Sequence, residues 1–151
     1  MIRGSTVIDV GSRTEKIRKD AISIDIEKRF WPDICASVAN LPIRNKAFDY
    51  VTMLEVIEHL GDREVQSTLD ECNRVCDLLI LSTPNCDSKI WNKIVWPLWS
   101  HTAGREWIGA HKQFFGVESL EYLLEKKHGM KILERNYSRW NLLVLAKTNS
   151  A

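Results

Sequence analysis

No stretch of this sequence is apolar for long enough to span a bilayer, and no basic n-region followed by an apolar h-region opens it. A soluble, cytoplasmic protein is therefore expected. The four cysteines, Cys35, Cys72, Cys76 and Cys86, contain no C-x-x-C pair, which removes zinc-ribbon and thioredoxin chemistry. They read as small buried hydrophobes in a reducing compartment. An excess of charge is missing as well. Twenty-one basic and 20 acidic side chains leave a net charge of +1, so overall charge gives no support for a nucleic-acid partner. Repeats, low-complexity tracts and interdomain linkers are also lacking. The 151 residues fit one domain, 1–151, large enough to bury a proper core.

What is present alternates. Short β-branched or aliphatic runs at residues 6–10, 21–25, 34–38, 48–53 and 78–81 read as strands. A helix is expected over 63–75, with Val65, Leu69, Cys72 and Cys76 at helical spacing. A second is expected over 117–128, with Leu120, Leu123 and Leu124 as its stripe and Gly129 just past its end. Residues 130–134 and 142–146 would close the chain as an antiparallel pair across a loop at 135–141. Alternation of this kind implies an α/β fold, a mostly parallel Rossmann-like sheet with helices on both faces and a C-terminal antiparallel hairpin. Only nine residues separate Gly11 from Ala21. That is below the roughly ten to twelve of a βαβ crossover, so the first helix is expected to be very short or absent.

Ligands of open α/β sheets bind beyond the carboxyl ends of the strands. After the first strand stand Asp9, Val10, Gly11, Ser12 and Arg13, where a glycine lets backbone approach a ligand and free N–H groups can hold an anion. After the second stands Asp25, suited to a vicinal diol. Either feature alone is as easily a turn or a surface cap. Fourteen residues apart, each ending an apolar strand, they favour an adenosine-type cofactor.

Later segments add specificity. Leu41-Pro42-Ile43 and Ala47-Phe48-Asp49-Tyr50-Val51 lead into Leu54-Glu55-Val56-Ile57-Glu58-His59-Leu60, followed by Ser82-Thr83-Pro84-Asn85 and by His111 with Phe114 and Phe115. From Val7 to the C-terminus this string resembles the class I, seven-stranded S-adenosylmethionine-dependent methyltransferases, in the small-molecule and quinone-type branch. The resemblance implies S-adenosylmethionine as cofactor and S-adenosylhomocysteine as product, with a small-molecule acceptor. It implies that Asp9 and Gly11 line the methionine end, Asp25 holds the ribose hydroxyls and Ile26 packs on the adenine. Ser37 falls where the family usually has an aspartate for the adenine amino group, with Val38 beside it, and Leu54 would approach the cofactor through its carbonyl.

The sequence departs from that pattern. Arg13 stands where a second loop glycine is expected, and either narrows the cofactor space or pairs with the cofactor carboxylate. No helices precede the first strand, which leaves the site open, covered by a partner or second copy, or the chain a trimmed form of a longer one. For the proton that a hydroxyl or amine acceptor must lose, His111 is the first candidate base and His59 the second; each is weighed against plain packing or capping. Glu55, Glu58, His59 and His111 resemble the divalent-metal site of small-RNA 2′-O-methyltransferases and of some quinone-biosynthetic O-methyltransferases. A metal is compatible with these side chains but is not the favoured expectation. Residues 87–115, with Trp91, Trp96, Trp99 and Trp107, read as an apolar lid or insertion, alternatively an acceptor pocket or a weak interfacial patch. Three other functions stay open: a non-catalytic scaffold of the same fold, a nicotinamide-dependent oxidoreductase, and a metal-assisted RNA or catechol-type O-methyltransferase.

Overall fold

The computed structural model describes residues 5–88 and 111–149. In chain order it contains β1 (Val7–Val10), β2 (Ile22–Asp25), β3 (Ile34–Cys35), β4 (Phe48–Leu54), α1 (Asp62–Val75), β5 (Cys76–Pro84), α2 (Val117–Glu121), β6 (Lys131–Tyr137) and β7 (Asn141–Lys147). Single 3-10 turns lie at Lys28–Phe30 and Ile57–His59, and α2 continues as wider π turns over Tyr122–Lys127. The strands form one seven-stranded sheet in the order β3-β2-β1-β4-β5-β7-β6. The first five are parallel, and β7 is antiparallel to both β5 and β6. This is the mixed, mostly parallel α/β architecture that the alternation implied.

Register assigns the core. Ile8, Val51 and Leu79 stand side by side across β1, β4 and β5, as do Val10, Met53 and Leu81 one step further on. The stripe of α1, Val65, Leu69, Cys72 and Val75, and that of the second helical segment, Leu120, Leu123 and Leu124, join the same buried cluster. Both described helices therefore cover one sheet face. They also meet each other: the ring of buried His128 lies between Asp70 and Gln66 of α1, and Asn73 donates to its carbonyl. Gly129 follows with φ +64°, the left-handed turn that glycine makes without penalty.

Several expected boundaries shift for local reasons. Cys76 begins β5 instead of extending the helix, because the chain passes from α1 into the strand without a loop. Cys72 and Cys76 are fully buried, and burial pushes both thiols up, Cys76 to about 12. The third strand is only two residues long. The closing turn is shorter than the expected loop, spanning 138–140, because Ser138 Oγ accepts the N–H groups of Trp140 and Asn141. The Trp-rich stretch 89–110, including Trp91, Trp96, Trp99 and Trp107, lies outside the described residues.

The short first crossover contains no helix; side chains hold it. Gly11 N–H donates to Ile24 O at 2.7 Å, Ile17 N–H to Asp9 at 2.9 Å, and Lys16 to Ala21 O at 3.1 Å. Lys16 also pairs with Asp33, which accepts both the N–H and the hydroxyl of Ser23. The Lys16 ammonium, then the Ser23 donors, pull the Asp33 carboxyl down to about 2. A depressed carboxyl contributes stability above its unfolded value near 4, and this is lost as pH falls through about 2. Asp33→Asn is expected to lower the melting temperature at pH 7 by a few degrees. In thermal melts the gap should close between about pH 4 and 2; a constant gap would show that the charge does not act.

Candidate functional site

Between β2 and β4, strand β1 is the point where successive connections run in opposite directions, so a crevice opens at the carboxyl ends of β1 and β4. The residues expected to hold the cofactor lie in or just after the first four strands: Asp9 and Gly11 at β1, Asp25 and Ile26 at β2, Ser37 and Val38 after β3, and Leu54 at the end of β4. Asp9 is 4% exposed and structural in its bonds: Thr52 Oγ1 donates to Oδ1 at 2.7 Å and Ile17 N–H to Oδ2 at 2.9 Å. Gly11 has φ +69°, and a Cβ there would lie 2.4 Å from Val56 Cγ2. The close approach of the chain after β4 thus demands glycine whether or not a ligand binds. Ser12 Oγ, next in the loop, is shielded from water and has no hydrogen-bond partner. A buried hydroxyl left unpaired is costly.

Asp25 is 7% exposed and ties the rim together. Its Oδ2 accepts Arg13 N–H at 3.2 Å and its Oδ1 accepts Glu27 N–H at 2.8 Å. Each oxygen keeps a second lone pair, so a diol can still be held. Arg13 adopts φ +48°, the left-handed region in which a glycine would cost nothing, and its guanidinium sits 5.2 Å from the Phe30 ring centre. Ile26 is 70% exposed beside the buried Asp25, an apolar surface free to receive a flat ring. Ser37 Oγ accepts Ala39 N–H at 3.3 Å, Val38 packs on the core, and Leu54 ends β4 at the same rim.

The histidines lie across β4 from these groups. Ile57–His59 form a 3-10 turn, and the Glu58 carbonyl accepts the N–H groups of Lys112 and Gln113 at 2.8 and 3.0 Å. That pairing delivers His111 to His59, with ring centres 4.6 Å apart and edge to face. Burial, then the neighbouring His59 charge, holds His111 below the usual imidazole range. Glu58 is 2% exposed, hydrogen-bonded to Thr83 Oγ1 at 3.2 Å, and burial pushes its carboxyl up to about 8. Glu58, Thr83, Pro84, Cys86, His111, Gln113, Phe114 and Phe115 surround a crevice here.

Of the four candidate metal ligands, three converge. Glu58, His59 and His111 each bring a ligand atom within 4.8 Å of the others. Glu55 does not join them: with φ +55° it turns out of β4, and its Oε1 accepts Ser82 Oγ at 2.6 Å and Asn141 Nδ2 at 3.2 Å. Sequence reasoning missed Thr52 and Asn141, because their partners Asp9 and Glu55 lie far off in sequence, and it missed that the Ser12 hydroxyl is buried without a partner. Ser82 and Thr83 were visible only as part of a motif, without their carboxylate partners.

Comparison with known proteins agrees with this architecture. A sequence model described as a methyltransferase domain matches residues 7–77. No curated protein sequence matches significantly. An S-adenosylmethionine-dependent methyltransferase from Methanosarcina mazei is similar in structure, with TM-score 0.69 and 15% identity over 97% of this chain and 93% of that one. The Burkholderia thailandensis 1,6-didemethyltoxoflavin-N1-methyltransferase, solved with S-adenosylhomocysteine bound, scores 0.68 at 12% identity over 97% and 72%. The small RNA methyltransferase HEN1 scores 0.68 at 18% identity, over 97% of this chain and 23% of that one. The fold is that of the class I S-adenosylmethionine-dependent methyltransferases.

The Glu58 carboxyl makes a sign-specific prediction. The folded protein holds its proton up to about 8, whereas the unfolded chain releases it near 4.5. Across that window the native state binds more protons, so this group's contribution to stability falls as pH rises. Glu58→Gln mimics the neutral acid and does not titrate. Its melting temperature relative to wild type should rise steadily from pH 5 to pH 8; parallel curves would contradict the burial argument.

Proposed function

We propose that this chain transfers a methyl group from S-adenosylmethionine to a small-molecule acceptor. The observation that carries this reading is the convergence on one rim of a buried carboxylate with spare lone pairs, Asp25, and the unsatisfied Ser12 hydroxyl. When bound, the cofactor supplies a sulfonium-borne methyl that an acceptor atom takes by in-line displacement. Asp25 receives the ribose hydroxyls, Ile26 covers one adenine face, and Ser37 and Val38 border its edge. Ser12 and the Gly11 backbone face the methionine end, Leu54 offers its carbonyl, and Asp9 acts through the loop it braces.

His111 then takes the acceptor proton. Held neutral by burial, it is ready to accept at physiological pH, and His59 stands edge-on to orient it. The two histidines need supply only proton transfer and orientation, because displacement at a sulfonium draws its rate chiefly from positioning and removal of water.

A second reading is favoured by one specific observation, the Glu58–His59–His111 grouping. One carboxylate and two imidazoles suit a divalent cation of the manganese type, which would hold an oxygen-bearing acceptor. The same reading extends to an RNA or catechol-type acceptor.

Calorimetric titration with S-adenosylhomocysteine tests the main reading. Wild type should bind, and Asp25→Ala should weaken binding at least about tenfold through loss of charge-assisted hydrogen bonds. No heat at high ligand concentration would favour a non-catalytic scaffold. With an acceptor found, His111→Ala should cost about 10²–10⁴ in kcat. Manganese titration followed by electron paramagnetic resonance distinguishes the metal reading: binding should vanish in Glu58→Ala, and full activity in excess chelator would end it.

A further inference from the structure

Among the described residues, Glu55 is a carboxylate beside Leu54 that has no part in the reading above. Its backbone continues the ladder, donating from N–H to Ser82 O at 3.1 Å, and then takes φ +55°. Non-glycine residues pay for that conformation, and such outliers persist where the surroundings over-determine them. Here the surroundings are Ser82 on β5 and Asn141 on β7, both donating to Oε1. Three strand ends are thus used to hold one carboxylate oxygen.

The other oxygen is left over. Oε2 takes no hydrogen bond among the described residues, yet it is not among the buried unpaired atoms. Glu55 is half-buried, and burial raises its carboxyl above the usual range, so Oε2 is left without a partner while Oε1 is pinned. The location is a working one: Glu55 follows Leu54 at the cofactor rim, and its charge is felt at Glu58 in the crevice on the other side. Trp140, which precedes Asn141, leaves 49% of its surface exposed on the same strand end. A half-buried carboxylate paired at one oxygen and unpaired at the other has acceptor capacity left for a donor.

We infer that Glu55, clamped by Ser82 and Asn141, is the group that recognises an O–H or N–H donor on the methyl acceptor. The inference rests on the methyl-transfer reading and deepens it. It assigns the acceptor class as small molecules carrying a hydroxyl or amine beside the methylated atom. It also gives Glu55 a binding role separate from the Glu58–His59–His111 group.

Phenol and anisole differ by this donor and otherwise match, so they serve as probes. Both are titrated by ligand-observed saturation-transfer NMR into protein saturated with S-adenosylhomocysteine. Wild type should bind phenol about tenfold more tightly than anisole, the scale of one hydrogen bond to a charged group. Glu55→Gln, which replaces the open oxygen or competes with an amide donor, should erase that preference while S-adenosylhomocysteine binding is unchanged. Ser82→Ala, which only releases the clamp, should reduce it severalfold, and it keeps the test decisive if Glu55→Gln does not fold. Equal binding of the two probes by wild type, or a preference that survives both substitutions, would overturn the assignment alone. Failure of wild type to bind S-adenosylhomocysteine would overturn the methyl-transfer reading and this inference with it.

Discussion

Two buried carboxylates do the work of a missing helix. A parallel strand pair needs a crossover, and the nine residues between Gly11 and Ala21 are too few to build a packed helix and return. Asp9 and Asp25 instead accept the N–H groups of Ile17 and Arg13, so backbone polar groups that a helix would have satisfied internally are paired by side chains. Thr52 anchors Asp9 from the neighbouring strand, and the Lys16–Asp33 pair pins the outer end of the loop. The loop after β1 and the end of β2 are therefore held by the same bonds that make the crossover feasible.

This economy shapes the chemistry. Asp25 is at once a brace for the loop and the acid beside Ile26, and the backbone leaves each of its oxygens a further lone pair. On the other side of β4 the logic is reversed. The Glu58 carbonyl docks the 111–115 segment, while its carboxyl is driven so far from water that it keeps its proton to about 8. His111, brought against His59 by that docking, is kept from charging by the same desolvation. A pocket that disfavours charge suits a reaction in which a sulfonium cation loses its charge, because water no longer competes to stabilise the starting state.

Much of the rim was legible in the sequence. Glycine and acid at the ends of short β-branched strands mark positions where the chain must turn and where burial forbids an idle charge. The helix over Asp62–Val75 was equally legible, since Val65, Leu69 and Cys72 repeat at its period. Less could be read where the determinant was a partner distant in sequence. The Glu-x-x-Glu-His pattern places both acids together on paper, yet the left-handed turn at Glu55 sends that side chain to Ser82 and Asn141 and leaves Glu58 with the histidines. The 135–141 loop shrank to a three-residue turn because a serine hydroxyl could close it.

By itself, then, the sequence determined the alternation of strands and helices, the strand ends that carry polar groups, and the apolar stripes that must face one core. These follow from local periodicity and from the conformational limits of glycine and β-branched residues. Only the tertiary structure decided which carboxylates are spent on holding the chain and which remain open to a ligand. Hydrogen-bond capacity is shared across strands, and a one-dimensional pattern does not record which neighbour has already claimed it.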